Sequence, residues 1–586
     1  ANDDNANLRY PTLDARIAAT YAARSTATLK NSLYDSYIRA FRWATDRLGN
    51  QGVIAFVSNN GWVDGNTADG LRKTFTDEFT DIWVYNLRGN QRTAGEQSRQ
   101  EGGKVFGSGS RTGVAILVAA KRAAATGGCT LHYVGVPDYQ TAEEKLAGVA
   151  AASLGRLPWQ TLTPNDSGDW LNQRSGRFSQ LTQLVSKNDR SSSEGSHFHT
   201  YSNGVKTNRD AWCYGFSELR VSSAMRRTID FFNQQAASSQ GLESNLDMDP
   251  AEISWSSGLV PRALRGDRYE LDGQAFRRFT YRPFCAQWGY FNEAFNDRTG
   301  RMRCFFPTLH HNNAGFYVPA PGASAPPFMA LMTDSLIDLG AAGISAAQFF
   351  PRWTYEKASE GDQSSLLAAA SEGDVDEWGY RRVDNITDGI LAVYQEKFGP
   401  QVSKDDVFYY VYACLHSEQY RTTFVADLKR MLPRIPLAAT ASDFFAFVDA
   451  GRGLADLHVN YETVEPYPLH EQSVAGLGDW VAYRVEKMRW ADKTTKKAIV
   501  YNSHVTLGDI PAAAHRYMLG SRSALEWLID RYQVKTDKAS GIVNDPNDWC
   551  REHDDPRYIV DLIKRVTRVS VDTMKIVDTL PELLLG

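Results

Sequence analysis

In residues 33–63, LYDSYIRAFRWATDRLGNQGVIAFVSNNGWV, apolar positions Tyr34, Ile38, Phe41 and Leu48 recur at near-helical spacing, until Gly49 and Gly52 interrupt the stripe that began at Leu33. The pattern predicts an amphipathic helix. The period then changes: Val53 to Val57 is a short apolar run ending in Ser58-Asn59-Asn60-Gly61, as in a buried strand entering a polar loop. Further strands are predicted at 81–87 and 114–119, with a helix at 71–79. This alternation predicts an open α/β sheet, in which ligands collect beyond the strand ends. Ser58, Asn59, Asn60 and Trp62 are the candidate active-site loop on that basis.

Helical periodicity returns at 405–430, where Val407, Tyr410, Val411, Cys414 and Leu415 mark one face and Pro433 closes the run. Ser521 is the expected cap of a helix reaching Tyr532, with Leu525, Leu528 and Ile529 inward; residues 558–577 suit a second long amphipathic helix. Ala-rich stretches near 120–125 and 147–152, and Ser191 to Ser193, read as linkers. The segment 88–109, rich in Gly, Gln and charge, reads as a mobile loop, and its Gly107-Ser108-Gly109 lacks the Lys-Ser/Thr of a phosphate-binding loop.

With 586 residues and 42% hydrophobic content the chain can hold several cored domains, divided here at 1–150, 151–480 and 481–586. No apolar stretch is long enough to cross a bilayer, and ANDDNANLRY has neither a basic start nor an apolar signal segment, so a cytoplasmic protein without a membrane partner is expected. The six cysteines are scattered with no Cys-x-x-Cys, which fits a reducing compartment. His197-x-His199 and His310-His311 have no Cys or acidic partner at metal-binding spacing, so no metal is assigned, and His416 reads as a packed or capping residue.

A net charge of −5 excludes indiscriminate coating of nucleic acid but leaves room for a locally cationic cleft. Two stretches are candidates. In TYSNGVKTNRDAW (200–212), Asn203-Gly204 suggests a turn, and Lys206, Thr207, Asn208 and Arg209 are residue types that pair with base edges or phosphates. A solvated Asx-rich loop has the same composition. In 262–282, Arg262, Arg265, Arg268, Arg277, Arg278 and Arg282 face three acids and alternate with aromatics. They suit a phosphate track, or ordinary stacks and ion pairs within the fold. Lys535 and Lys538 in KTDKASG could touch phosphate or belong to a packing surface.

The Leu-Tyr, helix, Gly, strand and Trp-bearing loop of 33–63 resembles the segment that follows the catalytic motif in amino-methylating DNA adenine methyltransferases of the γ order. YSNGVKTNRDAW, FTYRPF (279–284), FYYVYACLHSEQYR (408–421), PRIPL (433–437) and ALEWLIDRYQVKTDKASGIVNDPNDW (524–549) resemble, in this order, the methyltransferase and specificity region of single-polypeptide Type ISP restriction-modification enzymes. The resemblance covers about residues 1 to 580. It implies a partial Rossmann-like methyltransferase sheet lacking its N-terminal half, then a mixed α+β target recognition domain on double-stranded DNA, then a helical C-terminal region. It also implies N6-adenine methylation from S-adenosylmethionine, and an upstream nuclease, an ATPase using Mg and ATP, and the first half of the methyltransferase in the same polypeptide. In that family Asn-Pro-Pro-Tyr accepts the hydrogens of the adenine amine, whose lone pair is delocalised into the ring. No Asn-Pro-Pro occurs here, so the chain is expected to bind DNA without catalysis. Phe106, in KVFGSGSRTG, is the residue that the resemblance implies would stack on the flipped base. Two other readings stay open: a stand-alone specificity subunit or decoy, and an unrelated α/β enzyme such as a glycoside hydrolase, suggested only by 14 Trp and 27 Tyr.

Overall fold

The computed structural model describes all residues except 1–7, 28–29, 94, 108–109, 124–126, 187–194, 323–325, 344–345, 359–374 and 586. Contacts divide the chain into two compact units. The first is Ala1–Gln180 with Pro321–Pro327 and Phe424–Leu432; the second is Leu181–Ala320 with Phe328–Thr423 and Pro433–Gly586. Among the described residues no helix is long and apolar enough to cross a membrane.

The first unit is built on a five-stranded sheet of β1 (Gly52–Asn59), β2 (Asp81–Arg88), β3 (Val114–Lys121), β4 (Thr130–Gly135) and β5 (Gln160–Leu162), in the order β1-β3-β2-β4-β5. β3 runs antiparallel to both β1 and β2, and β2 runs parallel to β4, so β1, β2 and β4 point the same way. The helices Ser36–Thr45 and Asp69–Glu78 bring Ile38, Phe41, Leu71 and Phe75 onto Ile54, Ile82, Val84 and Leu117. Each such side chain contributes roughly 1.5–3 kcal/mol by leaving water. Among the described residues β1 is an edge strand, and Val53 and Val57 on its other face are 61% and 58% exposed.

Local chemistry adjusts several expectations. The stripe from Leu33 to Leu48 is not one helix: Asn31–Tyr34 forms a 3-10 turn, and Asp35 is extended (φ −61°, ψ 146°) before the helix Ser36–Thr45 begins. The Ala-rich stretch 147–152 is not a linker. It ends the helix Ala142–Ala151, which Thr141 and Glu144 start with a reciprocal capping box. The loop 88–109 holds a helix, Gly95–Glu101, and the Lys145 ammonium ties it down by donating to the Glu101 and Gly103 carbonyls at 2.7 Å each. Ser191 to Ser193, Ser108-Gly109 and part of the Ala-rich patch near 120–125 lie outside the described residues.

A buried ionic knot holds this unit together. The Asp169 carboxylate, fully buried, accepts from Arg174 at 2.8 Å and pairs with Arg430 at 2.9 Å and Arg72 at 3.5 Å. Burial holds the Arg72 guanidinium down to about 10. Arg72 also donates to the Trp62, Gly65 and Gly168 carbonyls, so its desolvated donors have partners.

Among the described residues the second unit holds three four-stranded sheets. One is ordered Leu336–Ile337, Phe276–Arg282, Cys285–Tyr290, Tyr214–Gly215; another Leu331–Thr333, Gly315–Pro319, Ala347–Pro351, Ser202–Asn203. The third joins His470–Ser473 to Val505–Gly508, so residues on both sides of position 480 share one sheet. A continuous core runs from Val205 and Phe279 through Tyr317 and Phe349 to Leu525, Ile563 and Val566.

The run at 405–430 breaks into Lys404–Cys414, Glu418–Thr423 and Val425–Arg430, because the chain turns at His416-Ser417 and again at Phe424. The helix expected from Ser521 starts two residues later: Ser523 accepts from the Glu526 amide and Glu526 reaches back to the Ser523 amide, while Arg522 and Ser523 still pair with Met518 and Leu519. The last long helix is Tyr558–Asp578, and its buried side chains include Ile559, Ile563, Val566 and Ser570.

Candidate nucleic-acid interface

Residues 200–209 do not form the free turn expected at Asn203-Gly204. Ser202–Asn203 is a strand on Ala347–Pro351, Val205 bridges Asp338, and Lys206 bridges Arg298. Gly204 lies against the Asp338 carbonyl, which a Cβ there would meet at 2.4 Å. Along this zipper Asn203 and Asn208 are exposed and Lys206 is partly so, while Thr207 and Arg209 are buried. Asn208 takes a left-handed conformation (φ 58°) and its carbonyl accepts from the Ser254 hydroxyl at 2.9 Å.

Arg209 is only 2% exposed and its guanidinium is taken up internally. It donates to the carbonyls of Ser254 at 3.2 Å and Thr207 at 3.1 Å, to the Ser256 hydroxyl at 3.0 Å and to the Phe295 carbonyl. A base contact by this side chain would require it to leave that pocket, so its place is in the packing. Thr207 likewise turns inward, and its hydroxyl bonds Asp210.

Two cations that the sequence reading did not single out join this rim. Arg298 and Arg301 are exposed, and neither has a carboxylate partner among the described residues. Lys206 and Arg298 exchange main-chain hydrogen bonds at 2.8 and 3.0 Å; the Arg301 amide donates to the Ser202 hydroxyl at 2.8 Å, and its guanidinium bonds Thr200. Gly300 (φ 58°) makes the connection, since a Cβ there would meet the Ser202 hydroxyl at 2.4 Å. The signal in the sequence was Asp-Arg-Thr-Gly-Arg at 297–301. Lys206, partly exposed, pairs at 3.4 Å with Asp297, whose side chain is only 9% exposed.

The second basic stretch is mostly intramolecular. Arg277 donates to the Thr308 and Phe306 carbonyls, and burial lowers its guanidinium to about 10. Arg278 stacks on Trp549 at 4.1 Å and pairs with Glu462 at 3.5 Å. Arg282 stacks on Tyr281 and pairs with the buried Asp338 at 2.5 Å. Arg262 donates to the Tyr269 hydroxyl and the Glu293 carbonyl, whereas Arg265 is exposed beside Asp267 at 2.9 Å. Lys535 is exposed and donates to the Asp530 carbonyl at 3.0 Å; Lys538 is exposed in the turn between the paired strands Lys535–Thr536 and Val543–Asn544.

In the first unit, the ends of the co-directional strands carry a polar row. The Asn60 amide donates to Asn86 at 3.0 Å, and Asn86 donates to the Tyr133 hydroxyl at 3.1 Å. Ser58 accepts from the Trp62 indole at 3.1 Å, and Asn59 accepts from the Gly61 amide at 3.0 Å. Trp62 is corrected: it belongs to the short helix Gly61–Asp64 rather than to an open loop, and is fully buried against Phe41 and Trp170. Asn86 and Tyr133 went unread in the sequence because each sits inside an apolar strand. Phe106 is 48% exposed in a bend before β3.

Residues 196–562 match the family model described as the Type ISP C-terminal specificity domain. The fold is similar to that of a nuclease-deletion mutant of the Type ISP restriction-modification enzyme LlaGI in complex with a DNA substrate mimic (34% identity, TM-score 0.83, 100% of this chain and 52% of that one). It is also similar to the ATP-dependent Type ISP restriction-modification enzyme LlaBIII bound to DNA (33% identity, TM-score 0.81, 100% and 36%) and to DrdV in its DNA complex (31% identity, TM-score 0.81, 99% and 55%). The chain thus spans from about a third to just over half of these proteins. No curated protein matches it.

Proposed function

The chain belongs to the family of Type ISP C-terminal specificity domains, and on that premise we propose that it reads a site on double-stranded DNA for a longer restriction-modification enzyme. The observation that carries the reading is the pairing of Lys206 with Arg298 in the matched region, with Arg301 tied to the adjoining Ser202 and the exposed Asn208 two residues along the chain. Arg and Lys there can hold phosphates and Asn208 can pair with adenine, while the buried Arg209 and the partly buried Arg282 fix the backbone beneath them. The DNA in the complexes of LlaGI, LlaBIII and DrdV supports the same partner.

The first unit fits the rear part of an adenine methyltransferase that takes its methyl group from S-adenosylmethionine. The support is the antiparallel β3 between the parallel β1 and β2, the polar row at their ends, and the open edge of β1. Tested as a cofactor cradle, that row does not suffice: Ser58, Asn60 and Asn86 already pair with Trp62, with each other and with Tyr133. Most cofactor contacts, the Asn-Pro-Pro-Tyr motif, the nuclease and the Mg- and ATP-using motor would lie in segments upstream in the same polypeptide, in a cytoplasmic enzyme. By the same resemblance Phe106, half-exposed in the bend before β3, would be the ring that stacks on the extruded adenine.

The test is a duplex-binding titration at two salt concentrations with random and genomic DNA. A site reader keeps its preference while nonspecific binding weakens with salt. Equal loss on every duplex at both salts would remove the proposal.

A further inference from the structure

A cleft of about 580 Å³ in the second unit opens on one face of the paired strands Trp353–Lys357 and Tyr380–Asp384. Its size falls within the roughly 300–1,000 Å³ of small-molecule sites. Side chains alternate across a strand, and in this register Trp353 and Tyr355 stand opposite Asp384 and Arg382, so all four line the cleft. His310, His311 and Trp378 complete its wall.

Trp378 is 41% exposed, and the nearly parallel His310 ring stacks on it at 4.5 Å. Hydrogen bonds fix both rings in place. The Asp376 carboxylate accepts from the Trp378 amide at 3.0 Å, the Tyr380 amide at 2.9 Å and the His311 ring at 2.8 Å. The Thr308 hydroxyl accepts from the His310 amide at 3.1 Å and lies 2.7 Å from the other His311 nitrogen. The buried His311 thus ties the two segments together, with Tyr355 and Tyr380 edge-on to its ring. The stack is formed before any ligand arrives, which lowers the ordering cost of binding.

The ions in the wall already have partners. Asp384 binds Arg352 at 2.7 and 3.1 Å, Asp388 binds Lys404 at 2.6 Å, and Arg382 lies 4.4 Å over the Trp353 ring. What stays open among the described residues is flat aromatic surface, so the cleft suits an uncharged planar ring better than an ion. At its margin the Asp388 carboxylate, 87% exposed, can accept from an amino group on such a ring.

We propose that this cleft takes an unpaired purine base, stacked against Trp378 as the third ring of the pile that His310 begins, from a free nucleotide or from a single-stranded stretch. A base inside a duplex has its faces covered, which separates this site from a reader of double-stranded DNA.

The experiment uses 2-aminopurine, a purine whose fluorescence falls on stacking, with the 586-residue chain. It is supplied as the free ribonucleoside monophosphate or as one base of a short single strand. Saturable quenching is expected. Trp378→Leu, which keeps apolar bulk and loses the flat ring, should weaken it by roughly tenfold or more with Tm unchanged, while Trp378→Phe retains most of it. Tighter binding of the free nucleotide assigns the cleft to that source, and tighter Trp378-dependent binding of the strand assigns it to the other. The free-nucleotide arm contains no DNA, so its failure leaves the duplex reading untouched. Should Trp378→Leu fail to fold, photo-crosslinking of 8-azidoadenosine monophosphate to the parent chain decides, with label expected in 376–382. Quenching that survives Trp378→Leu, ribose 5-phosphate competing as well as adenosine monophosphate, label only elsewhere, or no saturable quenching in either arm would each overturn the assignment.

Discussion

Lys206 and Arg298 exchange both of their main-chain hydrogen bonds, at 2.8 and 3.0 Å, and so fix two cations from distant stretches at adjacent positions on one rim. If that rim meets the DNA backbone, Arg298→Ala and Arg301→Ala should each weaken binding to all sequences alike and reduce the slope of log K against log salt by about 1. Titrations across a salt series measure this; an unchanged slope in both variants would exclude them from phosphate contact.

Gly300 couples that rim to the neighbouring strand. A methyl group at φ 58° adds backbone strain and strikes the Ser202 hydroxyl at 2.4 Å, so Gly300→Ala should cost about 1–3 kcal/mol. Denaturant unfolding gives the cost, and duplex affinity should fall in the same variant. A stability within error of the parent would contradict the close approach.

In the first unit, Asp169→Asn leaves the buried Arg72 and Arg430 facing a neutral amide. Removing one partner of a buried pair typically costs about 3–5 kcal/mol. Calorimetry should show a marked drop in the unfolding temperature of this variant; a small change would mean that water reaches the guanidinium groups.

Buried histidines make stability depend on pH. Burial lowers His458 to about 3 and His197 to about 4, both below the ordinary 6.5. As pH falls below 6.5 the unfolded chain takes up these protons and the folded one does not, so stability is lost by about 1.4 kcal/mol per pH unit for each histidine. Asp427, raised by burial to about 6, acts in the opposite sense below that pH. His458→Gln should flatten the stability profile between pH 6 and 4 by one such increment, measured by urea unfolding at several pH values. A parallel profile would refute this.

Given labelled S-adenosylmethionine and duplex DNA, the chain alone should transfer no methyl group, since its sequence has no Asn-Pro-Pro-Tyr. In the longer enzyme, Phe106→Ala should reduce methylation while leaving DNA binding intact. Sequence-specific product from the isolated chain, or unaltered methylation in the variant, would count against the respective role.

The opening strands and helices were legible because their apolar residues keep one period over several turns, as in the helices Ser36–Thr45 and Asp69–Glu78. Boundaries were less so. Ser523 rather than Ser521 caps its helix because Glu526 stands three residues on, a spacing present in the sequence and overlooked. The candidate interface was half legible: Lys206 and Asn208 were read from composition, but nothing local reveals that Arg209 finds its acceptors at Ser254 and Phe295. Arg298 and Arg301 reach the same rim only through pairing across the fold, which no window of neighbouring residues contains.

The uncovered side of β1 has a practical outcome. Among the described residues no strand pairs with the outer edge of β1, and its amides and carbonyls there, beside Val53 and Val57, form a template on which a second molecule's strand can add. Preparations of this polypeptide should therefore self-associate as concentration rises, and a lysine introduced at position 53 or 57 should keep them monomeric.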